Sequence, residues 1–317
     1  MMENKLYVSS SPHIRSNNST RRIMLDVIIA LAPTSVAACV IFGFRAAVLI
    51  AVCVATCVLL EFLARKVMKR ESTVGDLSAV VTGLLLALNL PVDINPLIAM
   101  FGCLIAIVVV KQMFGGIGMN FVNPALAARI VLLVSFPSAM MHWVTVKGAP
   151  AKAVIDATTS ATPLAAEKGT YSYVDLLIGR CGGSIGEVCA IALIIGGIYL
   201  VIRRVISPII PCVYLATAGV MSLIFGLNPV FQVLAGGMLL GAIFMATDYT
   251  TSPVTNWGKV IYAAGCGLLT MLLRTYSNMP EGVSFSILLM NILVPLIERM
   301  TAPRTLGFVK KAKGEKK

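Results

Sequence analysis

Long apolar stretches, separated by short polar segments, run along the chain from residue 23 to residue 297. A helix needs about 20 mostly apolar residues to cross the hydrocarbon core of a bilayer. The pattern therefore predicts an all-α membrane protein with about ten transmembrane helices. The predicted spans are Ile23–Phe42, Ala46–Met68, Asp76–Leu90, Pro96–Met113, Pro124–Phe136, Ile185–Ile202, Pro208–Phe225, Val230–Thr247, Val260–Leu273 and Val283–Ile297.

The spans divide into two halves of five, residues 23–137 and residues 185–299. An odd number of spans gives the halves opposite orientations, so a duplication would be an inverted repeat. Each half contains a glycine-bearing helix that ends in polar residues and proline, one after Thr82 and one after Leu240. We predict an inverted five-helix repeat with short or broken helices. The alternative is ordinary helix ends shaped by proline.

The composition fits a membrane protein, with 58% hydrophobic and only 13% charged residues, where soluble domains are about one-quarter charged. The net charge of +12 could suggest nucleic-acid binding, but the basic residues punctuate the apolar runs, as the positive-inside rule expects. We therefore expect no nucleic-acid partner. The first apolar run follows Arg21 and Arg22 without a clear cleavage site, which indicates an uncleaved span.

The basic residues also predict the topology. Of the 26 lysines and arginines, Arg129 lies within a span, 19 lie on the side of the N-terminus, and six lie on the opposite side: Arg45, Lys147, Lys152, Lys168, Arg180 and Arg274. This bias predicts a multi-pass protein of a bacterial or archaeal cytoplasmic membrane with both termini inside. Residues 1–22 and the basic tail 300–317 are then cytoplasmic, and the loop 138–184 lies outside.

The cysteines and histidines do not predict a metal site. Most of the eight cysteines lie inside apolar runs and none forms a Cys-x-x-Cys pair, so small buried side chains are the favoured interpretation. Cys53 and Cys57 share a helix face, but that spacing within one helix rarely makes a metal site alone. Only His13 and His142 could add imidazole ligands.

A polar stretch in the predicted outer loop has a distinctive order: Asp156, two free positions, Thr159, Ser160, Ala161 and Thr162. It resembles the acceptor motif of flavin transferases, which attach FMN through its phosphate to the final threonine. The resemblance implies a phosphoester-linked FMN on Thr162. The usual small residue is glycine, where this chain has Ser160. The alternative is an ordinary Thr/Ser-rich loop.

A second stretch, Gly115–Arg129, precedes and enters the fifth span. Its glycines allow a close approach to a planar ligand or to another helix. The amides of Asn120 and Asn123 suit the edges of a flavin ring, so we predict a second, noncovalent flavin (riboflavin or FMN) here, with tight helix packing as the alternative. Arg129 is costly in lipid and should face protein, water or an anion.

Carboxylates in or beside the spans are candidates for an ion path. Asp248 stands at a helix end among hydroxyl side chains, and Asp26 lies in the first span. The alternative for Asp248 is a turn carboxylate in water. Glu61 is spaced to form an i,i+4 pair with Arg65.

Taken together, the ten spans, the acceptor motif and the stretches Gly115–Arg129 and Ala246–Pro253 resemble the D subunits of the Rnf complex. These are paralogues of the B subunit of the sodium-pumping NADH:quinone reductase. The resemblance covers about Arg21 to Pro303. It implies a flavoprotein subunit, inactive alone, that relays electrons in an oxidoreductase coupling ferredoxin:NAD oxidation and reduction to Na⁺ or H⁺ movement.

The resemblance also implies partners: the other Rnf subunits, among them a second covalent flavoprotein and membrane redox subunits, and a flavin transferase for maturation. The FMN, and no protein side chain, would carry the redox chemistry. Two other classes remain open from the pattern alone, because fold does not decide function. They are a secondary transporter or channel and a scaffold without redox function, and the acceptor motif argues against both.

Overall fold

A computed structural model describes residues 19–144, 163–164, 171–187, 189–277 and 282–303. These residues form 13 α-helices and no strand, so the protein is the predicted all-α, multi-pass membrane protein. The helices are α1 (Thr20–Phe42), α2 (Phe44–Val67), α3 (Ser78–Leu88), α4 (Pro96–Leu104), α5 (Pro124–Ser135), α6 (Pro137–Met140), α7 (Tyr173–Ile178), α8 (Ala190–Ile202), α9 (Ile209–Ile224), α10 (Pro229–Leu234), α11 (Met238–Leu240), α12 (Asn256–Tyr276) and α13 (Val283–Thr301).

Three shorter helical segments adjoin these helices. A 3₁₀ turn at Val74–Asp76 precedes α3. A π-helix at Ile105–Gln112 continues α4, and a second π-helix at Gly241–Met245 continues α11. Both π-helices therefore end a span, one in each half. Such segments are uncommon and frequently mark functional sites.

The helices differ in length. Among the described residues, α1, α2 and α13 are long and apolar enough to cross a membrane. Helix α3 has only 11 residues and so rises about 16 Å, roughly half of a 30 Å hydrocarbon core. The prediction of short helices is thus confirmed.

The predicted single helix Val230–Thr247 is wrong. The structure divides this stretch into α10, α11 and the second π-helix. Gly236 has φ +67, a left-handed conformation that glycine adopts without steric cost and that ends α10.

Close contacts between helices join the two halves. Helix α1 packs on α8, and these are the first helices of their halves. Gly196 of α8 permits this contact, since a Cβ there would lie 2.2 Å from the carbonyl oxygen of Ala30. Within the second half, α12 packs on α9 and α13. Pairing of α1 with α8 is compatible with an inverted repeat, which itself stays a prediction.

The first half contains a buried ion pair in which Glu61 has a different partner from the one predicted from the sequence. Lys111 Nζ lies 2.9 Å from Glu61 Oε2, and both side chains are almost fully buried, at 2% and 1% exposure. Glu61 Oε1 accepts from the Gln112 amide at 3.0 Å and from the Thr73 hydroxyl at 2.8 Å. The structure records no Glu61–Arg65 pair among its described residues, because the first π-helix packs on α2 and supplies Lys111 instead.

Five of the eight cysteines are buried, as expected: Cys53, Cys57, Cys103, Cys181 and Cys266. Cys103 of α4 faces α2, and its thiol donates to the Cys53 carbonyl oxygen at 3.6 Å. Cys212 departs from the expectation, since it is exposed on α9.

Replacing Lys111 with methionine should destabilise the protein strongly, because it leaves the Glu61 carboxylate buried without its cation. Losing one partner of a buried pair costs about 3–5 kcal/mol. Thermal unfolding in detergent measures the effect. Arg45→Met is the matched control: it breaks the Arg45–Asp93 pair, whose side chains are 73% and 41% exposed, and should cost less than about 1 kcal/mol. Equal stability losses in the two variants would contradict the expectation.

Candidate functional site at the junction of the two halves

Helix α3 ends inside the protein at Asn89, whose side chain is 1% exposed. The Asn89 amide donates to the Leu85 carbonyl oxygen at 2.7 Å and to the Met245 sulfur at 3.7 Å. Its own oxygen accepts from Arg129 Nη1 at 2.8 Å. Because lipid offers no hydrogen bonds, a helix end at this depth must find its partners within the protein.

Helix α5 begins nearby at Asn123, also buried. The Asn123 oxygen caps the helix by accepting from the backbone N–H groups of Ala125 and Leu126 at 3.0 and 3.4 Å, and Pro124 takes the first helical position. This confirms the predicted Asn-Pro helix start. The Asn123 amide donates to the Met245 carbonyl oxygen at 3.4 Å. One side chain therefore links the start of α5 to the end of the second π-helix.

Arg129 lies one to two turns into α5, as predicted, and faces protein. In addition to Asn89, it contacts Glu187, with Nη2 3.3 Å from Oε1, and both side chains are about 95% buried. The sequence analysis did not identify Glu187, although this residue lies in the predicted span Ile185–Ile202, where a carboxylate is a signal of a buried partner. In the structure Glu187 precedes α8, which begins at Ala190.

The glycines before α5 serve the backbone of a loop. Gly115, Gly116 and Gly118 have φ values of +125, +106 and +88. At Gly116 a Cβ would lie 2.3 Å from Arg65 Nη2, so a side chain there would require the arginine to move. The alternative of tight helix packing is therefore wrong for this stretch, because positive φ and the approach of Arg65 account for its glycines.

Three of the predicted site residues line one cavity. Asn120, Asn123 and Asp248 are far apart in sequence, yet they meet in a cavity that Ser78 and Lys111 also line. The cavity measures about 100 Å³. The structure thus brings the stretch Gly115–Asn123 and the Asp248 region together, as the hypothesis of a second site requires.

Within the cavity, Asp248 belongs to a turn after the second π-helix. Its carboxylate accepts from the hydroxyls of Thr250 and Thr251 at 3.1 and 3.4 Å. Its backbone oxygen accepts from the N–H groups of Thr251 and Ser252. Asp248 is therefore both a turn carboxylate and a cavity residue. No described residue forms a salt bridge with it.

Asp26 lies beside the cavity and not in its wall. The Asp26 carboxylate accepts from the Tyr199 hydroxyl at 2.9 Å and from Arg203 Nη2 at 3.3 Å. Its neighbours Met24 and Val27 do line the cavity. The structure thus gives Asp26 partners on α8 and just after it, and its assignment to an ion path stays a prediction.

Asn291 of α13 is a polar residue near the site that sequence reasoning missed. The amide orientation that satisfies its neighbours has Oδ1 accepting from the Asn123 N–H at 3.3 Å and Nδ2 donating to the Thr251 carbonyl oxygen at 3.3 Å. The Tyr262 hydroxyl lies 2.7 Å away. A signal was available, because an asparagine within an apolar span is costly without a partner.

Two properties of the cavity bear on the ligand it could hold. Asn120 Oδ1 is buried without a hydrogen-bond partner among the described residues, so it is available to a donor on a ligand. The volume of the cavity is below the roughly 300–1,000 Å³ of small-molecule pockets and suits water or a cation. The residue types fit a flavin edge as well as a cation, and the volume fits the cation.

The attachment motif cannot be placed in the same way. Its residues Asp156, Thr159, Ser160, Ala161 and Thr162 lie outside the described part of the chain. Leu164, just after the motif, is described and approaches Gly236, where a Cβ would lie 2.9 Å from Leu164 Cδ1.

Comparison with known proteins adds independent information. The model of the NQR2, RnfD, RnfE family matches residues 7–307. The chain is 49% identical to the D subunit of the Na(+)-translocating ferredoxin:NAD(+) oxidoreductase complex of Acetobacterium woodii, over 98% of both chains. It is 40% identical to the D subunit of the proton-translocating ferredoxin:NAD(+) oxidoreductase complex of Clostridium ljungdahlii, over 96% of this chain and 97% of the relative. Identity to the D subunit of the ion-translocating oxidoreductase complex of Halorhodospira halophila is 35%, over 94% of each.

Proposed function

Because the chain belongs to the NQR2, RnfD, RnfE family, we propose that it acts as the D subunit of an ion-translocating ferredoxin:NAD(+) oxidoreductase complex. The similarity spans almost the full length of the relatives, so it covers a whole subunit and not one module. The all-helical membrane fold agrees with a membrane subunit of an electron transport complex. The observation that carries the proposal is the 49% identity over 98% of both chains.

The redox role in this proposal depends on the acceptor motif. The Thr162 hydroxyl would form a phosphoester with FMN, which when bound supplies one- and two-electron transfer. A threonine hydroxyl is a weak nucleophile at neutral pH, so a transferase must supply the base and the metal-bound phosphate. The order of residues from Asp156 to Thr162 supports this role.

The cavity at the junction would serve the ion or a second, noncovalent flavin. Support for an ion comes from the small volume of the cavity and from the oxygen atoms of Asp248, Thr250 and Asn120, since hard cations favour oxygen ligands. Support for riboflavin or FMN comes from the Asn120 oxygen, which has no hydrogen-bond partner among the described residues. The two relatives named for Na⁺ and for protons differ in the ion, so similarity does not choose between Na⁺ and H⁺ for this chain.

The proposal includes partners and a location. The protein would receive electrons from a membrane-associated flavoprotein subunit and pass them to other Rnf subunits, after maturation by a flavin transferase. Both termini would lie in the cytoplasm and the loop 138–184 on the outer side of the cytoplasmic membrane, as the distribution of basic residues indicates. Family membership weighs against a stand-alone transporter, although transporters share its broken helices.

Thr162→Ala should abolish covalent flavin when the protein is co-expressed with a flavin transferase, because the acceptor hydroxyl is removed. The readout is ultraviolet fluorescence of the denatured band, with peptide mass spectrometry to locate the adduct. Thr158→Ala, at one of the two free positions of the motif, is the matched control and should keep the adduct. Persisting fluorescence in the denatured Thr162→Ala protein would reject the assignment.

The topology predicts where reporters will be active. Alkaline phosphatase should be inactive when fused after Lys317 and active when inserted in the loop 138–184, since that enzyme needs the oxidising outer compartment. Enzyme activity in whole cells, corrected for the amount of fusion protein, measures the difference. An active fusion after Lys317 would overturn the topology.

Substitutions in the cavity should separate its two candidate roles. If it holds a flavin, Asn123→Leu should lower the noncovalent flavin content severalfold and leave the Thr162 adduct intact. If it serves the ion, Asp248→Ala should reduce ion transport in vesicles while electron transfer between soluble donors and acceptors continues.

Two controls account for effects on folding. Asn228→Leu removes an equivalent cap, because Asn228 also precedes a proline and caps α10, away from the cavity. Asp93→Ala removes an exposed carboxylate outside the cavity. Normal flavin content, turnover and ion transport in both cavity variants would reject a functional cavity and leave a helix cap at Asn123 and a turn carboxylate at Asp248 as the roles of these residues.

A further inference from the structure

A groove lies on the outside of the second half, between α8, α9 and the segment α10–α11. It measures about 430 Å³. None of the described residues that line it carries a charged side chain; they are almost all aliphatic, such as Ile194, Ile198 and Ile202 on α8 and Leu215 on α9. Ile198 and Ile202 are 55% and 73% exposed, so the groove opens to the surroundings of the protein.

The groove exists because the segment opposite α8 is broken. Helix α10 ends at Leu234 and α11 begins at Met238, so no continuous helix covers this side of α8. Gly197 adds to the depth by presenting no side chain; a Cβ there would lie 2.9 Å from Ile243 Cγ2 on the second π-helix. The groove is therefore a consequence of the helix break between α10 and α11.

Two arginines follow the end of α8 that lines the groove. Helix α8 ends at Ile202, and Arg203 and Arg204 follow directly. Ile202 and Ile206, on either side of the pair, both line the groove. Arg203 contacts Asp26 at 3.3 Å but keeps 40% of its side chain exposed. Arg204 is exposed and forms no ion pair with any residue that the structure describes.

We propose that this groove binds an anionic phospholipid, with one acyl chain along α8 and the phosphate at Arg203 and Arg204. From Ile194 to Ile202 the groove follows α8 for about 12 Å, which fits within one leaflet of about 15 Å of hydrocarbon. The aliphatic lining matches a hydrocarbon chain, and Arg204, with the exposed part of the Arg203 side chain, would bind the phosphate just beyond the end of α8. In the topology proposed above, this end lies in the cytoplasmic leaflet, where polybasic sites recognise anionic lipids.

The arginine pair favours a lipid over a transmembrane helix of a partner subunit. A helix would be held by side-chain packing along the groove and would not need cations at its end. An anionic headgroup needs both the apolar groove and the charge. This proposal does not depend on the redox role of the chain, so the two can fail separately.

Cys212 provides a reporter, because it lines the groove and is the one exposed cysteine among the eight, all of which are described. The purified complex is stripped of lipid in detergent. Palmitoyl-oleoyl phosphatidylglycerol, or phosphatidylcholine with the same chains, is then added. The rate of Cys212 alkylation by a maleimide is followed by peptide mass spectrometry. Phosphatidylglycerol should protect Cys212 at a lower concentration than phosphatidylcholine.

Arg204→Gln should raise the phosphatidylglycerol concentration needed for half-protection about fivefold, the effect of one basic residue near an anionic membrane surface. It should leave protection by phosphatidylcholine unchanged. Arg45→Gln is the matched control: Arg45 is also exposed but lies away from the groove, and its loss should change neither value.

A second variant tests the apolar part. Ile198→Trp should fill the groove, and native mass spectrometry of the complex should then show less retained phosphatidylglycerol than in the unmodified complex. Equal protection by both lipids, with no effect of Arg204→Gln, would overturn the proposal in favour of ordinary solvation by lipid. An unreactive Cys212 in the stripped complex would overturn it in favour of a partner subunit that covers the groove.

Discussion

The structure depends on satisfying backbone polar groups where short helices end inside an apolar protein. Two groups there need a partner: the first N–H groups of α5, and the Met245 carbonyl at the end of the second π-helix, to which the Asp248 N–H makes a long contact of 3.5 Å. Asn123 meets both requirements with one side chain, because its oxygen caps α5 and its amide binds the Met245 carbonyl. An unsatisfied group in hydrocarbon costs several kcal/mol, so this contact also fixes the two halves relative to each other.

The same requirement explains the charged groups around the junction. Glu61 with Lys111 and Arg129 with Glu187 are buried pairs, and each is supplemented by neutral hydrogen-bonding groups: Thr73 and Gln112 for the first, Asn89 for the second. Each of these four charged side chains therefore already has an ionic partner within the protein. Asp248, which only hydroxyl and backbone groups contact, and the unpartnered Asn120 oxygen are the polar groups left facing the cavity. The proposed ligand site therefore uses polar groups that the buried ion pairs do not need for their own hydrogen bonds.

The helix breaks produce both of the spaces to which we assign ligands. On the inside, the starts of α3 and α5 and the end of the second π-helix line the cavity that holds Asn120, Asn123 and Asp248. On the outside, the break between α10 and α11 leaves the apolar groove along α8. Irregular helices thus leave space in which this subunit of an ion-translocating complex could bind ligands. Each helix break also removes backbone hydrogen bonds, and the side chain of Asn123 replaces some of them.

The sequence by itself determined the properties that depend on local composition. Apolar runs identified the helical membrane fold and Asn123-Pro124 identified a helix start, because each signal lies within a short stretch of chain. The motif ending at Thr162 is equally local, and the FMN that it predicts stays a prediction. Only the tertiary structure decided which residues meet. It paired Glu61 with Lys111 rather than Arg65, placed Asn291 against Asn123, and gathered Asn120 and Asp248 into one cavity. These contacts join residues about 50 to 170 positions apart, and their geometry arises from helix packing that no local pattern encodes.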